Sequence, residues 1–139
     1  MRRRLFCLAS TSAAAFALPA VRAVGGAASA GTIGPDRVDW TRTPVRLLMV
    51  ESPACVYCQA WHRRIGPGYA ASAAGRAAPL MRTDIDGPWP DGVALARRPR
   101  ITPTFILLDH GRELARLEGY TGDNSFYPLI GRMLAQGAR

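Results

Sequence analysis

Cys55 and Cys58 stand where a strand-like run gives way to a helical one, and that junction limits the folds open to the chain. Upstream, Val45-Arg46-Leu47-Leu48-Met49-Val50-Glu51 is mostly apolar, has strand length and lies between Pro44 and Pro53. A continuous apolar run suits a strand buried on both faces rather than one with a wet side. After Pro53 the spacing turns helical. Val56, Gln59, Ala60 and Arg63 recur on one set of intervals, and Tyr57, Trp61 and Ile65 lie about four residues apart on another face. A buried strand that feeds a helix through a short loop belongs to an α/β sheet and sets the cysteine pair at a helix N-terminus.

The later chain extends that pattern. Gly66-Pro67-Gly68 ends or sharply bends the first helix, and alanine-rich residues 69–78 suit a short second one. Residues 80–85 read as a strand, residues 87–92 as a loop, and Val93 to Arg98 as a short helix. Thr104 to Leu108 is an apolar strand, Asp109-His110-Gly111-Arg112 a hairpin turn, and Glu113 to Glu118 the returning strand. Gly119 breaks it. Asp123 to Ala135 closes the chain as a helix with Phe126, Leu129, Ile130, Met133 and Leu134 facing inward. The expected architecture is α/β, a mixed central sheet with helices on both faces, and 139 residues leave room for one such domain.

The N-terminus reads as an address. Arg2-Arg3-Arg4 precedes an alanine-rich apolar run to Ala20, and small residues follow where a signal peptidase cuts. Residues 1–23 are expected to form a removable export signal, with a cut as late as 30, and residues 24–35 a Gly/Ala/Ser linker. Arg3-Arg4 before Leu5 and Phe6 resembles a twin-arginine signal; the alternative is a general signal in a chain without lysine. The expected location is the periplasm. Cutting after Ala23 removes four of the 18 arginines and no acid, so the net charge falls from +8 to +4. The remaining arginines are scattered, without a basic stripe interleaved with aromatics, which argues against nucleic-acid binding. Absence of lysine excludes Schiff-base and P-loop lysine chemistry.

Cys7 leaves with the signal, so the expected mature chain keeps only Cys55 and Cys58. At a helix start, Cys55 faces unpaired backbone N–H groups and the positive end of the helix dipole, which favour thiolate over thiol. Cys58, one turn deeper, is then placed to attack a mixed disulfide. Other readings stay open: a structural disulfide, or a metal site that would need more donors than Cys55, Cys58 and His62 supply. Haem attachment is excluded because Gln59 replaces the histidine required after the second cysteine.

The order of strand, Cys-x-x-Cys, helix, Ile101-Thr102-Pro103-Thr104-Phe105, hairpin, Gly119 and terminal helix resembles the thioredoxin-like family over residues 40–135. The resemblance implies that family's three-layer fold, a cis Thr102–Pro103 bond beside the cysteines, and substrate binding along Thr102 and Pro103. Unlike cytoplasmic thioredoxins, this chain has Met49 six residues before the first cysteine, where a buried acid is usual. Glu51 and His62 are the candidates for proton transfer, each with a plainly solvated alternative. Tyr57, Trp61, Trp89 and Tyr120 are candidates for an apolar docking surface, with the core the stronger reading for Trp61 and a structural role equally open to Trp89 between Pro88 and Pro90.

Glu51-Ser52-Pro53-Ala54-Cys55, Trp61-His62 and Asp84-Ile85-Asp86-Gly87-Pro88-Trp89-Pro90 resemble the SoxS thioredoxins of bacterial sulfur-oxidation clusters. That likeness implies a thiol:disulfide oxidoreductase, mainly a reductase of protein disulfides, keeping a sulfur-carrier partner's cysteine reduced. It implies a monomer without cofactor or metal, recharged by a membrane thiol-electron donor. The alternatives are a disulfide oxidase or isomerase, and a non-catalytic metal-binding or regulatory module.

Overall fold

The computed structural model describes residues 38–139, so the expected signal and linker lie outside the described residues. In chain order the elements are β1 (Val45–Glu51), α1 (Val56–Arg64), α2 (Gly66–Tyr69), α3 (Ala73–Ala77), β2 (Leu80–Asp84), β3 (Thr104–Asp109), β4 (Arg112–Glu118) and α4 (Asp123–Gly137). The strands form one mixed sheet in the order β2-β1-β3-β4. β1 lies parallel to β2 and antiparallel to β3, and β4 returns antiparallel beside β3. No helix among the described residues is long and apolar enough to cross a membrane.

The apolar run of β1 is central because both faces of the sheet are covered. Leu47, Leu48, Met49 and Val50 are all fully buried. Register sorts them by face: Leu47 and Met49 lie opposite Leu107 and Phe105, Leu48 and Val50 opposite Ile106 and Thr104. The first face packs against Cys58 and Trp61 of α1, Tyr69 of α2, and Phe126, Ile130 and Met133 of α4. Three aromatic rings, Trp61, Phe105 and Phe126, meet there with centroids 5.0 to 5.6 Å apart.

The second face departs from expectation. Leu48, Val50, Ile106 and Leu108 are covered by Trp40, Met81, Ile85, Trp89, Val93 and Leu95, none of them in a helix. The helix expected over Val93 to Arg98 is absent, because the backbone there is spoken for. Ala94 N–H donates to Gly111 C=O, Glu113 N–H donates to Ala94 C=O, and Ala96 N–H donates to the Glu113 carboxylate at 2.8 Å. Pro99 also disfavours helical geometry at the residue before it. Arg116 clasps Glu113 with two hydrogen bonds of 2.8 Å and donates to Arg97 C=O, tying this segment to β4. Burial works to raise the Glu113 carboxyl, but Arg116 and the Ala96 N–H outweigh it and hold its pKa below the ordinary glutamate value.

Two further differences are local. Gly66-Pro67-Gly68 does not merely stop α1; it forms the first turn of α2, where proline's missing N–H costs nothing. Residues 69–78 then break before Ser72, whose hydroxyl caps α3 by accepting from Gly75 N–H at 3.0 Å. The expected hairpin turn is present, with His110 at φ 46° and Gly111 at φ 82°, the left-handed pair that a tight turn between twisted strands requires. Arg64 pairs with Asp123 at 3.1 Å, fastening the end of α1 to the start of α4.

Candidate active site

Cys55 is the N-cap of α1, and its sulfur accepts a hydrogen bond from Cys58 N–H at 3.1 Å. A short loop hands β1 to the helix: Cys55 N–H donates to Ser52 C=O, and Gln59 N–H donates to Cys55 C=O to open the first turn. The α-carbons of Cys55 and Cys58 are 5.2 Å apart and their sulfurs are bonded. Cys55 is 8% exposed and Cys58 2%, so the first cysteine is the nearer to solvent. The expected order, an outer sulfur at the helix start and an inner one a turn below, is the order found.

The register of β1 and β3 brings the proline loop to the same place. Val50 lies opposite Thr104, so two steps further Ser52 faces Thr102, and their hydroxyl oxygens are 3.4 Å apart. The Thr102–Pro103 bond is cis, as the family resemblance implied, and a second cis bond joins Gly87 to Pro88. Pro103 is buried, and its carbonyl accepts from Gly119 N–H at 2.7 Å. Gly119 is therefore a clamp on the loop as well as the end of β4.

Glu51 and His62 are not solvated bystanders. Glu51 is 6% exposed, and its Oε2 lies 2.5 Å from His62 Nε2. Its Oε1 accepts from Arg82 Nε at 2.7 Å and pairs with Arg82 Nη2 at 2.6 Å. A buried carboxylate needs such partners, since desolvating it alone would cost several kcal/mol. Glu51 shares the sheet face of Leu47 and Met49, the face on which Cys58 packs. Arg82 went unnoticed in the sequence. A lone charge in the middle of β2 was the available signal, but only the parallel pairing of β1 with β2 shows which carboxylate it meets.

Of the four aromatic candidates for a docking surface, the structure exposes Tyr57 and gives Trp61 and Trp89 their structural alternatives. Tyr57 is exposed at 60%, as a docking residue requires. Trp61 is 1% exposed and belongs to the core, because Cys58, Trp61 and Ile65 form the buried stripe of α1. Trp89 packs under the second face of the sheet. Tyr120 is half-buried and donates a hydrogen bond to Asp123; burial, assisted by that bond, pushes its pKa up to about 12. Val56, next to Cys55, and Ile101, next to Thr102, were not read as surface residues in the sequence, yet both are exposed, as Tyr57 is. Among the described residues, no three His, Cys, Asp or Glu side chains gather as metal ligands.

The fold that carries this helix-capping cysteine pair is similar to that of a solved protein. The chain is 44% identical to the periplasmic thioredoxin SoxS of Paracoccus pantotrophus, solved in its reduced form. That match covers 66% of this chain and 97% of that one, with a TM-score of 0.65. The chain belongs to the thioredoxin family. This thioredoxin is a thiol:disulfide oxidoreductase, with Cys55 and Cys58 close enough to bond. Trxlp from Edwardsiella tarda is also similar, at 20% identity over 63% of this thioredoxin and 82% of its own length, TM-score 0.48. The Malassezia sympodialis thioredoxin is 16% identical over 66% and 76% of the two chains, TM-score 0.45. No protein-family model matches the chain, and no curated protein matches it.

Proposed function

We propose that this thioredoxin is a periplasmic reductase of protein disulfides, exported by residues 1–23 and serving a sulfur-oxidation partner whose cysteine must stay reduced. The observation that carries this reading is the 44% identity to a periplasmic SoxS thioredoxin along 97% of that protein.

The cycle runs through the two sulfurs. In the reduced protein the Cys55 thiolate attacks one sulfur of the partner's disulfide. A Cys55–partner bond forms, and the partner's other sulfur leaves as a thiolate that takes up a proton. Cys58 then loses its proton and attacks the Cys55 sulfur. The Cys55–Cys58 bond forms and the partner's second thiolate is released, so the partner has gained two electrons. An external dithiol, supplied by a membrane thiol-electron donor, returns them. Thr102, set in place by its cis bond to Pro103, presents the backbone groups against which an extended partner segment pairs, and Tyr57 supplies apolar contact beside it.

Glu51 accepts the proton that Cys58 gives up, and His62, whose side chain is 31% exposed, passes it to solvent while Arg82 holds the carboxylate in place. Glu51→Gln keeps the shape and removes the charge. It is expected to slow decay of the mixed disulfide by about a hundredfold while changing the first attack far less. Stopped-flow measurement of the two steps reads this directly, and Glu51→Asp should restore part of the lost rate. Equal slowing of both steps would leave Glu51 a structural residue only.

The partner itself is tested by trapping. In Cys58→Ser the second step cannot occur, so the mixed disulfide accumulates on Cys55 in periplasmic extract of the source cells. Recovery of one predominant partner bearing a single reactive cysteine supports the reading. Recovery of many unrelated secreted proteins would indicate general disulfide exchange, and no adduct at all would end the reductase assignment.

A further inference from the structure

Beside the proline loop lies an open groove lined by Arg97, Arg98, Arg100, Ile101 and Glu118. Its charge is unbalanced. Arg97 pairs with Glu118 at 2.6 Å, which accounts for the groove's one carboxylate. Arg98 donates only to Ile85 C=O, and among the described residues Arg100 is paired with no carboxylate. Three guanidiniums against one carboxylate leave two exposed positive charges, and the apolar Ile101 is 49% exposed between them and Thr102. Exposed like charges lining one groove repel one another.

The groove continues the substrate path. Thr102 touches Ser52 of the loop that ends in Cys55, and Arg100 is two residues upstream of Thr102. A partner segment extended along Thr102 advances about 3.3 Å per residue, so a side chain two to four positions from its cysteine falls at the guanidiniums. Arginine offers planar, paired N–H donors that match a carboxylate's two oxygens. We propose that this groove receives an acidic flank of the partner polypeptide, with Arg98 and Arg100 selecting disulfides bordered by Asp or Glu. This rests on the reductase reading above and adds the chemistry of the substrate it prefers.

Three peptides of equal length test it, each with its cysteine activated as a 2-pyridyl disulfide and flanked on both sides by Asp, Ser or Lys. Release of pyridine-2-thione by the reduced mature protein gives the rate constants. The acidic peptide is expected to react about tenfold faster than the neutral one at low ionic strength, with the lysine peptide slower. The advantage should shrink as salt shortens the screening length. In Arg98→Gln/Arg100→Gln the acidic-to-neutral ratio should fall to about one. Arg132→Gln/Arg139→Gln removes the same charge outside the groove and should keep the ratio.

Equal rates for all three peptides, or a ratio lowered alike by both double variants, would overturn the groove and leave the reductase standing. A neutral peptide that does not react at all would remove the reductase reading and this proposal with it.

Discussion

Turnover should disappear when the first sulfur is removed. In Cys55→Ser, reduction of insulin disulfides with dithiothreitol as electron source is expected to fall by at least about a thousandfold, to the rate of the reductant alone. Cys58 cannot substitute: it is 2% exposed and sits a turn inside the helix, whereas Cys55 caps the helix beside the surface. The thiolate at Cys55 gains from the free N–H groups of the first turn, of which the Cys58 N–H already points at its sulfur. Its pKa in the reduced protein should therefore lie below the ordinary cysteine range. The rate of alkylation at Cys55 should then stay high into mildly acidic solution and drop only when the thiolate is protonated. Wild-type activity in Cys55→Ser would show that the nucleophile has been misassigned. Alkylation that follows the titration of a free thiol would remove the helix from the explanation.

The largest expected loss of stability comes from Trp61→Ala, about 3–5 kcal/mol. The indole is 1% exposed and meets Tyr69, Phe105 and Phe126 at ring-centroid distances of 6.0, 5.5 and 5.6 Å. Nothing small can fill that space, because its walls come from a helix, a strand and the terminal helix, each held by its own hydrogen bonds. For a domain of about 100 residues the loss corresponds to a fall of about 12 °C or more in Tm. Trp61→Phe separates volume from chemistry. The indole Nε1 is buried without a hydrogen-bond partner, so a ring without that N–H gives up some volume while relieving an unmet donor. Its cost should stay below about 1.5 kcal/mol. Denaturant unfolding of the reduced and oxidised forms measures both. A Trp61→Ala protein as stable as the wild type would mean that α1 is not anchored by this ring, and that Cys58 is held by something else.

The pattern of apolar runs carried much of this architecture. β1 could be read because a buried central strand needs no polar alternation, and α1 because its cysteines follow directly on that strand. The hairpin announced itself through His110-Gly111, and α4 through Phe126, Ile130 and Met133 at helical spacing. Val93 to Arg98 misled because local spacing resembles a helix while its backbone groups are claimed by Gly111 and Glu113, partners up to nineteen residues away in sequence. Trp61 and Tyr57 were grouped on one face by their spacing of four. The packing of Cys58, Trp61 and Ile65 onto the sheet instead turns Tyr57 to solvent.

Sequence alone determined that a dithiol caps a helix at the end of a buried strand, since both elements and the pair are contiguous in the chain. Tertiary structure alone decided what surrounds it. Ser52 meets Thr102 across fifty positions, Arg82 neutralises Glu51 across thirty-one, and Glu118 joins Arg97, Arg98 and Arg100 in lining one groove. The reason is the sheet: register is a property of strand pairs, and no single segment records which residue of another strand it will face.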